Sequence, residues 1–407
     1  MANAPSIPTR NLPSNALQAD AQAAFAPVTG KSLSRAPQDS AIQSSDRPIK
    51  PALGDTPINR ILELGRWAPS GDNTQPWRFE VAGDRHLVVH GRDTRHDCVY
   101  DLRGHASQIA LGALLETISI AATTQGLRTR IERRANQPDD LPLFDVTFDA
   151  DRAVRSDPLA QQIRQRVTQR RPLRTRALAQ VECDTLARAL PAGFSLRLLS
   201  SLGERFRIAK LLYRSAWIRL TTREAFETHR KVIQWNARES EDRIPDQAVG
   251  VDPLTRRLMQ WAMKSWSRIT FMNRFMAGTV LPRLQLDFMP GLRCGAHFFL
   301  VADQPPKSTD DFVAAGRALQ RFWLTAAELN LLLQPEMTPL IFSEYSRDGL
   351  AFSTNARAVA RAAQINEKFT ALLGSDTWPR VAFMGRLGFG KQPASRSTRL
   401  PLSALKA

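Results

Sequence analysis

Trp67-Ala68-Pro69-Ser70-Gly71-Asp72-Asn73-Thr74-Gln75-Pro76-Trp77-Arg78-Phe79 is the stretch on which the reading of this chain turns. Prolines sit at two of its corners with a glycine between them. The backbone must therefore leave a helix before Pro69, turn tightly, and enter a strand at Trp77. Ser70, Asn73 and Gln75 put hydroxyl and amide groups into that turn, offering donors and acceptors together. Two readings fit: the loop hydrogen-bonds the polar edge of a heteroaromatic ring, or its side chains close an Asx turn on their own backbone. Composition alone does not choose between them.

Outward from this loop, the upstream helix is signalled by Thr56 as cap, Pro57 at the first position, and Ile58, Ile61 and Leu62 on one face. Downstream, alternation over 77–81, a turn at Gly83-Asp84 and a return over 86–90 predict a hairpin. A helix is expected over 107–125, burying Ile109, Leu111, Leu114, Leu115, Ile118 and Ala121 and stopping at Gly126, followed by strands over 127–131 and 144–148. A second run begins near residue 158. It should hold a helix carrying Leu159, Ile163 and Val167, strands at 195–199 and 295–302, and a helix over 310–332 opened by the Ser308…Asp311 capping pattern. A last strand covers 381–384. The two long helices occupy equivalent places, which predicts two related halves. Residues 1–46, rich in Ala, Pro, Ser, Gln and Asn, read as a flexible arm; 47–155 and 156–407 are the halves.

Bulk composition sets limits on function. At 407 residues the chain exceeds one ordinary core, and 43% hydrophobic with 23% charged residues is a globular balance. Cys98, Cys183 and Cys294 are odd in number and widely spaced, which speaks against a disulfide framework or structural zinc and fits a reducing cytoplasm. The apolar runs are too short to predict a membrane-spanning helix, and the N-terminus lacks the basic and apolar regions of a secretory signal. The charge of +17 is spread along the chain without aromatic interleaving, so nucleic acid is not the expected partner.

A less regular stretch, 215–290, stands apart. Leu258, Trp261, Ala262, Ser265 and Trp266 recur at helical spacing, and no acidic residue occurs between Asp252 and Asp287 to offset Arg256, Arg257, Lys264, Arg268, Arg274 and Arg283. Such stripes are usually core with solvated arginines, which is the favoured expectation. The other readings are a lid over a ligand, or a weak membrane-surface contact through 256–283.

Three segments carry a family likeness. Residues 68–79 resemble the APSxxNxQPWxF signature of nitroreductase-family flavoproteins, a segment that lines FMN. Arg166-Val167-Thr168-Gln169-Arg170-Arg171-Pro172 is similar to the family's RxSxR/RxTxR motif, whose basic residues hold the FMN phosphate and ribityl chain; guanidiniums give bidentate, charge-assisted bonds to phosphate. Ser397-Thr398-Arg399-Leu400-Pro401 resembles the closing K/R-x-R-x-P stretch, with Ser397 where lysine is common and Arg396 beside it. Gln334-Pro335-Glu336 occupies the place where the family chain passes the flavin ring.

The resemblance implies an α+β, nitroreductase-like fold: mixed, mainly antiparallel sheets flanked by helices, with the halves packed as a pseudo-dimer. It implies one FMN site between the halves, because the loop motif lies in the first half and the arginine motifs in the second. The implied site residues are Pro69, Ser70, Gly71, Asn73, Gln75, Arg166, Thr168, Arg170, Gln334, Pro335, Arg396 and Arg399. It implies NADH or NADPH as electron donor and a nitroaromatic or quinone-type acceptor, in a monomer or a homodimer. No catalytic side chain or metal ligand is expected, since the flavin carries the chemistry. A flavin store with little turnover, and an interaction protein without cofactor, remain the alternatives. Gly385-x-x-Gly388-x-Gly390 has too little chain after it for a dinucleotide-binding unit, and His96, Cys98 and His105 match no metal spacing.

Overall fold

Thr56 opens the first helix as expected, its hydroxyl accepting the Asn59 amide at 3.3 Å with Pro57 at the first helical position. The computed structural model describes residues 56–407, so the arm expected over 1–46 lies outside the described residues. Helix α1 (Pro57–Gly65) buries Ile58, Ile61 and Leu62. Strands β1 (Trp77–Gly83) and β2 (His86–Gly91) form the hairpin, and α2 (His105–Thr123) leads to β3 (Leu127–Arg133) and β4 (Leu143–Ala150). These strands make an antiparallel sheet of order β1-β2-β4-β3. Alternate residues of β4, Phe144, Val146 and Phe148, are buried, as period-two patterning requires of a one-sided sheet.

The rest of the chain runs through α3 (Gln180–Arg188), β5 (Phe194–Leu199), α4 (Leu202–Thr221) and α5 (Arg223–Val232) to three two-residue strands, β6 (Ile233–Gln234), β7 (Glu239–Ser240) and β8 (Ile244–Pro245). Short helices follow: α6 (Pro253–Ala262), α7 (Trp266–Phe275), α8 (Val280–Arg283) and α9 (Met289–Leu292). Then come β9 (Ala296–Ala302), α10 (Thr309–Glu328), β10 (Leu332–Pro335), α11 (Thr338–Arg347), α12 (Ala356–Leu373), β11 (Val381–Gly388) and β12 (Arg396–Ser397). A second antiparallel sheet has order β10-β11-β9-β5. The pairs β6–β8 and β7–β12 are parallel. The architecture is α+β.

Strand β9 is buried at every residue because both its faces are covered. Phe298 and Leu300 pack with Phe312, Leu319 and Phe322 of α10, while Phe299 and Val301 pack with Ile208 and Leu212 of α4 and with Ile365 and Phe369 of α12. The two long helices, α2 and α10, cross at glycine. A Cβ on Gly112 would lie 2.0 Å from the Val313 carbonyl oxygen, and one on Gly316 would lie 2.0 Å from that of Ile109. Beside the crossing, buried Glu116 accepts from Arg317 at 2.9 Å and from Arg321 at 3.0 Å.

Several expectations need correction. Residues 158–167 are not an α-helix. A short 3-10 turn (Pro158–Gln162) ends it, and Thr168 bridges in parallel to Leu333, so a backbone ladder overrides the helical spacing. The helix expected to reach 332 ends at Glu328; Asn330 adopts φ 58 and the chain enters β10, which places Gln334 and Pro335 on a strand. Helix α2 is long and apolar enough to cross a membrane by length and composition, contrary to the expectation from run length, but it is largely buried against protein. The stripe in 254–276 is not core. Leu254 is 75% and Phe275 66% exposed, Trp261 and Phe271 are also exposed, and only Thr255, Ala262, Met263 and Met272 of this stretch are buried.

Candidate functional site

The loop after α1 is held in a costly conformation. Asp72, Asn73 and Gln75 all have positive φ (50°, 64° and 48°), a region that costs a residue with a Cβ about 1–3 kcal/mol. Hydrogen bonds compensate. Ser70 Oγ accepts the Gln75 amide at 3.0 Å, and the Gln75 side-chain amide donates to Asn73 O at 3.1 Å and Glu241 O at 2.8 Å. Its oxygen accepts the Leu400 amide at 3.0 Å. Asn73 Nδ2 donates to Glu241 O at 3.0 Å and Thr398 O at 3.2 Å, tying the loop to the residues that follow β7 and β12. Neither expected reading is complete: the loop bonds partly to itself and partly to distant backbone.

The arginine segments meet this loop directly. Arg166 Nη2 donates to Trp67 O at 3.1 Å, with its guanidinium 4.5 Å from the Trp323 ring. Arg399 Nε donates to Ala68 O at 2.9 Å, and Arg396 stands 5.1 Å from the Trp67 ring. Among the described residues no carboxylate lies within salt-bridge distance of these three guanidiniums. Burial first, then Arg399 and Arg396, depress the proton affinity of Arg166 well below the arginine range. Burial, Arg396 and Arg66 push Arg399 down to about 9. Only Glu239 pulls on Arg396 from beyond ion-pair distance, and like charges gathered with so little counter-charge are unfavourable unless an anion joins them.

Pro69, Ser70, Gly71, Asn73, Arg166, Thr168, Arg170, Gln334, Pro335, Arg396 and Arg399 all line one cavity of about 420 Å³, a volume within the roughly 300–1,000 Å³ of small-molecule sites. Gln75 does not line it; its side chain is spent on Glu241 and Leu400. Arg170 also lines the cavity, but its charged neighbours are Asp72 and Arg386 rather than the other three arginines. Its Nη1 donates to Ala248 O at 3.3 Å, and burial lowers its proton affinity against the pull of Asp72. Unpartnered buried atoms concentrate on this wall: Asn73 Oδ1, Arg166 Nε, Gln334 Oε1 and Arg396 Nε.

Sequence reasoning missed another part of the cavity wall. Tyr100 and His229 are 3.0 Å apart there, with Cys98, Arg219 and Asp287 also lining the wall. Burial, then Arg219, lowers the His229 pKa to about 3, while burial raises Tyr100 well above its ordinary value; the pair is therefore neutral near pH 7, with a phenolic proton to donate. Burial also lifts the Cys98 thiol to about 12, so it stays protonated. These residues come from a loop and from α4, α5 and the turn after α8, and no local spacing links them.

Glu336 closes the floor. Its carboxylate bonds His297 Nδ1 at 2.7 Å and accepts Arg386 Nη1 at 2.7 Å, all three side chains being buried. Burial opposes charge on His297, but Glu336 and Cys294 outweigh it and raise its pKa to about 10 from 6.5. A histidine raised in the fold contributes stability that is fully present below its unfolded pKa and lost as pH climbs through the folded one. That window is pH 6.5 to about 10. Glu336→Gln is expected to lose about 3 kcal/mol at pH 6.5, because Arg386 is left buried without its counter-charge. It should also flatten the decline toward alkaline pH; urea unfolding across this range, with equal slopes in both proteins, would contradict the assignment.

Comparisons with known proteins give limited matches. No family model matches the chain. An uncharacterized protein of Mycobacterium tuberculosis is 24% identical over 306 residues, covering 74% of this chain and 42% of that protein, so the chain spans less than half of its curated relative. Among solved structures, a nitroreductase with bound FMN from Bacteroides fragilis aligns with 58% of this chain and 90% of its own, at 9% identity and a TM-score of 0.31. A nitroreductase-like family protein from Bacillus cereus aligns with 61% of this chain and 93% of its own, at 12% identity and a TM-score of 0.30.

Proposed function

We propose that the cavity holds flavin mononucleotide and that the chain is a flavin-dependent oxidoreductase of the nitroreductase-like kind, built from two related halves with one site between them. The observation that carries the reading is the corner formed by Arg166, Arg396 and Arg399, three guanidiniums with no carboxylate in ion-pair distance among the described residues, beside a strained polar loop in one cavity. A phosphate dianion would relieve their mutual repulsion and give the unpartnered Arg166 and Arg396 Nε groups an acceptor.

Thr168 would add a hydroxyl near the ribityl chain, and Pro69, Ser70, Gly71 and the Gln334–Pro335 segment would border the ring. When bound, FMN supplies two-electron transfer from NADH or NADPH to an electron-poor acceptor such as a nitroaromatic or a quinone. The protein's own contribution is orientation and charge: a preorganised basic corner, a polar loop edge, and the neutral Tyr100–His229 pair as a hydrogen-bonding group on the same cavity. Ile233, Val249 and Leu286 from the segment between α5 and α9 cover part of the cavity, and this favours a second reading as a flavin holder with slow turnover.

One set of measurements separates these readings. FMN titrated into purified protein should lose fluorescence and co-elute with the chain, and anaerobic NADH or NADPH should bleach the bound colour, which a quinone restores. Retained colour that neither nicotinamide bleaches selects the flavin holder. A protein that stays colourless with FMN refutes both.

A further inference from the structure

The helices α6, α7 and α8 expose apolar and basic side chains together. Leu254, Trp261, Phe271, Phe275, Met276 and Leu281 lie between 41% and 75% exposed, and with Leu258, Val280, Leu284 and Met289 they make most of the exposed large apolar side chains among the described residues. The side chains are interwoven with cations. Arg268 stacks 4.8 Å from the Trp261 ring and bonds its carbonyl at 3.0 Å, linking α7 to α6, while Arg274 lies 5.4 Å from the Phe275 ring and Phe271 packs on Phe275 at 5.2 Å. Arg257, Lys264 and Arg274 are exposed, and no acidic residue occurs between Asp252 and Asp287 to neutralise them.

We infer that this surface docks onto an anionic phospholipid bilayer. Aromatic and aliphatic groups beside unopposed cations suit the boundary between headgroups and acyl chains, where tryptophan is favoured and each basic residue gains about 1 kcal/mol from anionic lipid. Two other occupants fit worse. A second copy would bring Arg257, Lys264 and Arg274 against their own equivalents across a two-fold contact, a like-charge juxtaposition. Residues 1–55 carry nearly equal numbers of basic and acidic residues and offer no anionic partner for the patch. The cavity reading is not needed for this inference.

Co-sedimentation of the full chain with vesicles of phosphatidylcholine alone, and of phosphatidylcholine with phosphatidylglycerol, tests it. Binding is expected to the anionic vesicles and not to the neutral ones, and should weaken with added salt. Trp261 emission should shift to the blue on binding. The pair Phe271→Ser with Phe275→Ser, and separately the set Arg257→Glu, Lys264→Glu and Arg274→Glu, should each lower vesicle affinity about tenfold or more. Circular dichroism and a urea-unfolding midpoint unchanged from the parent would show that these variants still fold. Equal partition onto both vesicle types, no partition onto either, or a concentration-dependent dimer abolished by the Phe271→Ser, Phe275→Ser pair would overturn the inference.

Discussion

Arg399→Met is expected to weaken FMN binding about 100-fold while leaving the flavin-free protein within about 1 kcal/mol of the parent in stability. The two effects have different origins. In the flavin-free protein Arg399 is a buried cation repelled by Arg396 and Arg66, so removing its charge relieves repulsion and offsets the lost bonds to Ala68 O and Thr398 O. Methionine keeps the apolar stem in place. With a phosphate present the same guanidinium becomes a charge-assisted donor, and its loss costs the bound state alone. Fluorescence titration and urea unfolding of the flavin-free form measure the two quantities. A variant that binds FMN normally, or that fails in both measurements together, would show that Arg399 serves only the backbone contact.

Gly316→Val should be the most damaging single substitution on the α2–α10 face. The added Cβ would sit 2.0 Å from the Ile109 carbonyl oxygen, which is helix backbone and cannot swing aside, and the opposing Gly112 is just as closely approached by Val313. The helices must separate, opening gaps through the core around Ile109, Leu319 and Phe322, and the expected loss exceeds about 3 kcal/mol. Gly203→Ala makes the control. It lies in α4 with nothing within 4 Å of the new Cβ, so a gain of about 0.5–1 kcal/mol is expected. Thermal or urea unfolding of both reads the contrast; equal, small effects would mean the crossing is looser than its geometry.

The legible parts of the chain were those where one local signal dominates. Thr56 with Pro57, the Gly83-Asp84 turn and the Ser308…Asp311 cap each dictate a local backbone path, and α1, the β1–β2 hairpin and the start of α10 follow them. The loop at 68–79 could be recognised as unusual, but not that Asp72, Asn73 and Gln75 would all take positive φ, since that depends on bonds to Glu241, Thr398 and Leu400. The expectation misses α4 even though Ser201-x-x-Glu204 is a capping box, and it misses α12 although Asn355 caps it. Residues 158–168 mislead because their spacing is helical while their hydrogen-bond partner, Leu333, lies far along the chain. The stripe at 254–276 misleads for a different reason: periodicity reports that a face is apolar, not what covers it. Tyr100 and His229 meet only through tertiary packing.

Arg399 and Ala68, which close the basic corner, are 331 residues apart in the chain. Closing a flexible loop of that size costs about 5 kcal/mol in chain entropy, repaid only after both sheets have formed. This corner should therefore be a late event on the folding path. A half-folded chain would expose the same arginines with no shared geometry, and would have no grip on a nucleotide. Flavin added during refolding should accordingly trap the finished product rather than guide the early collapse.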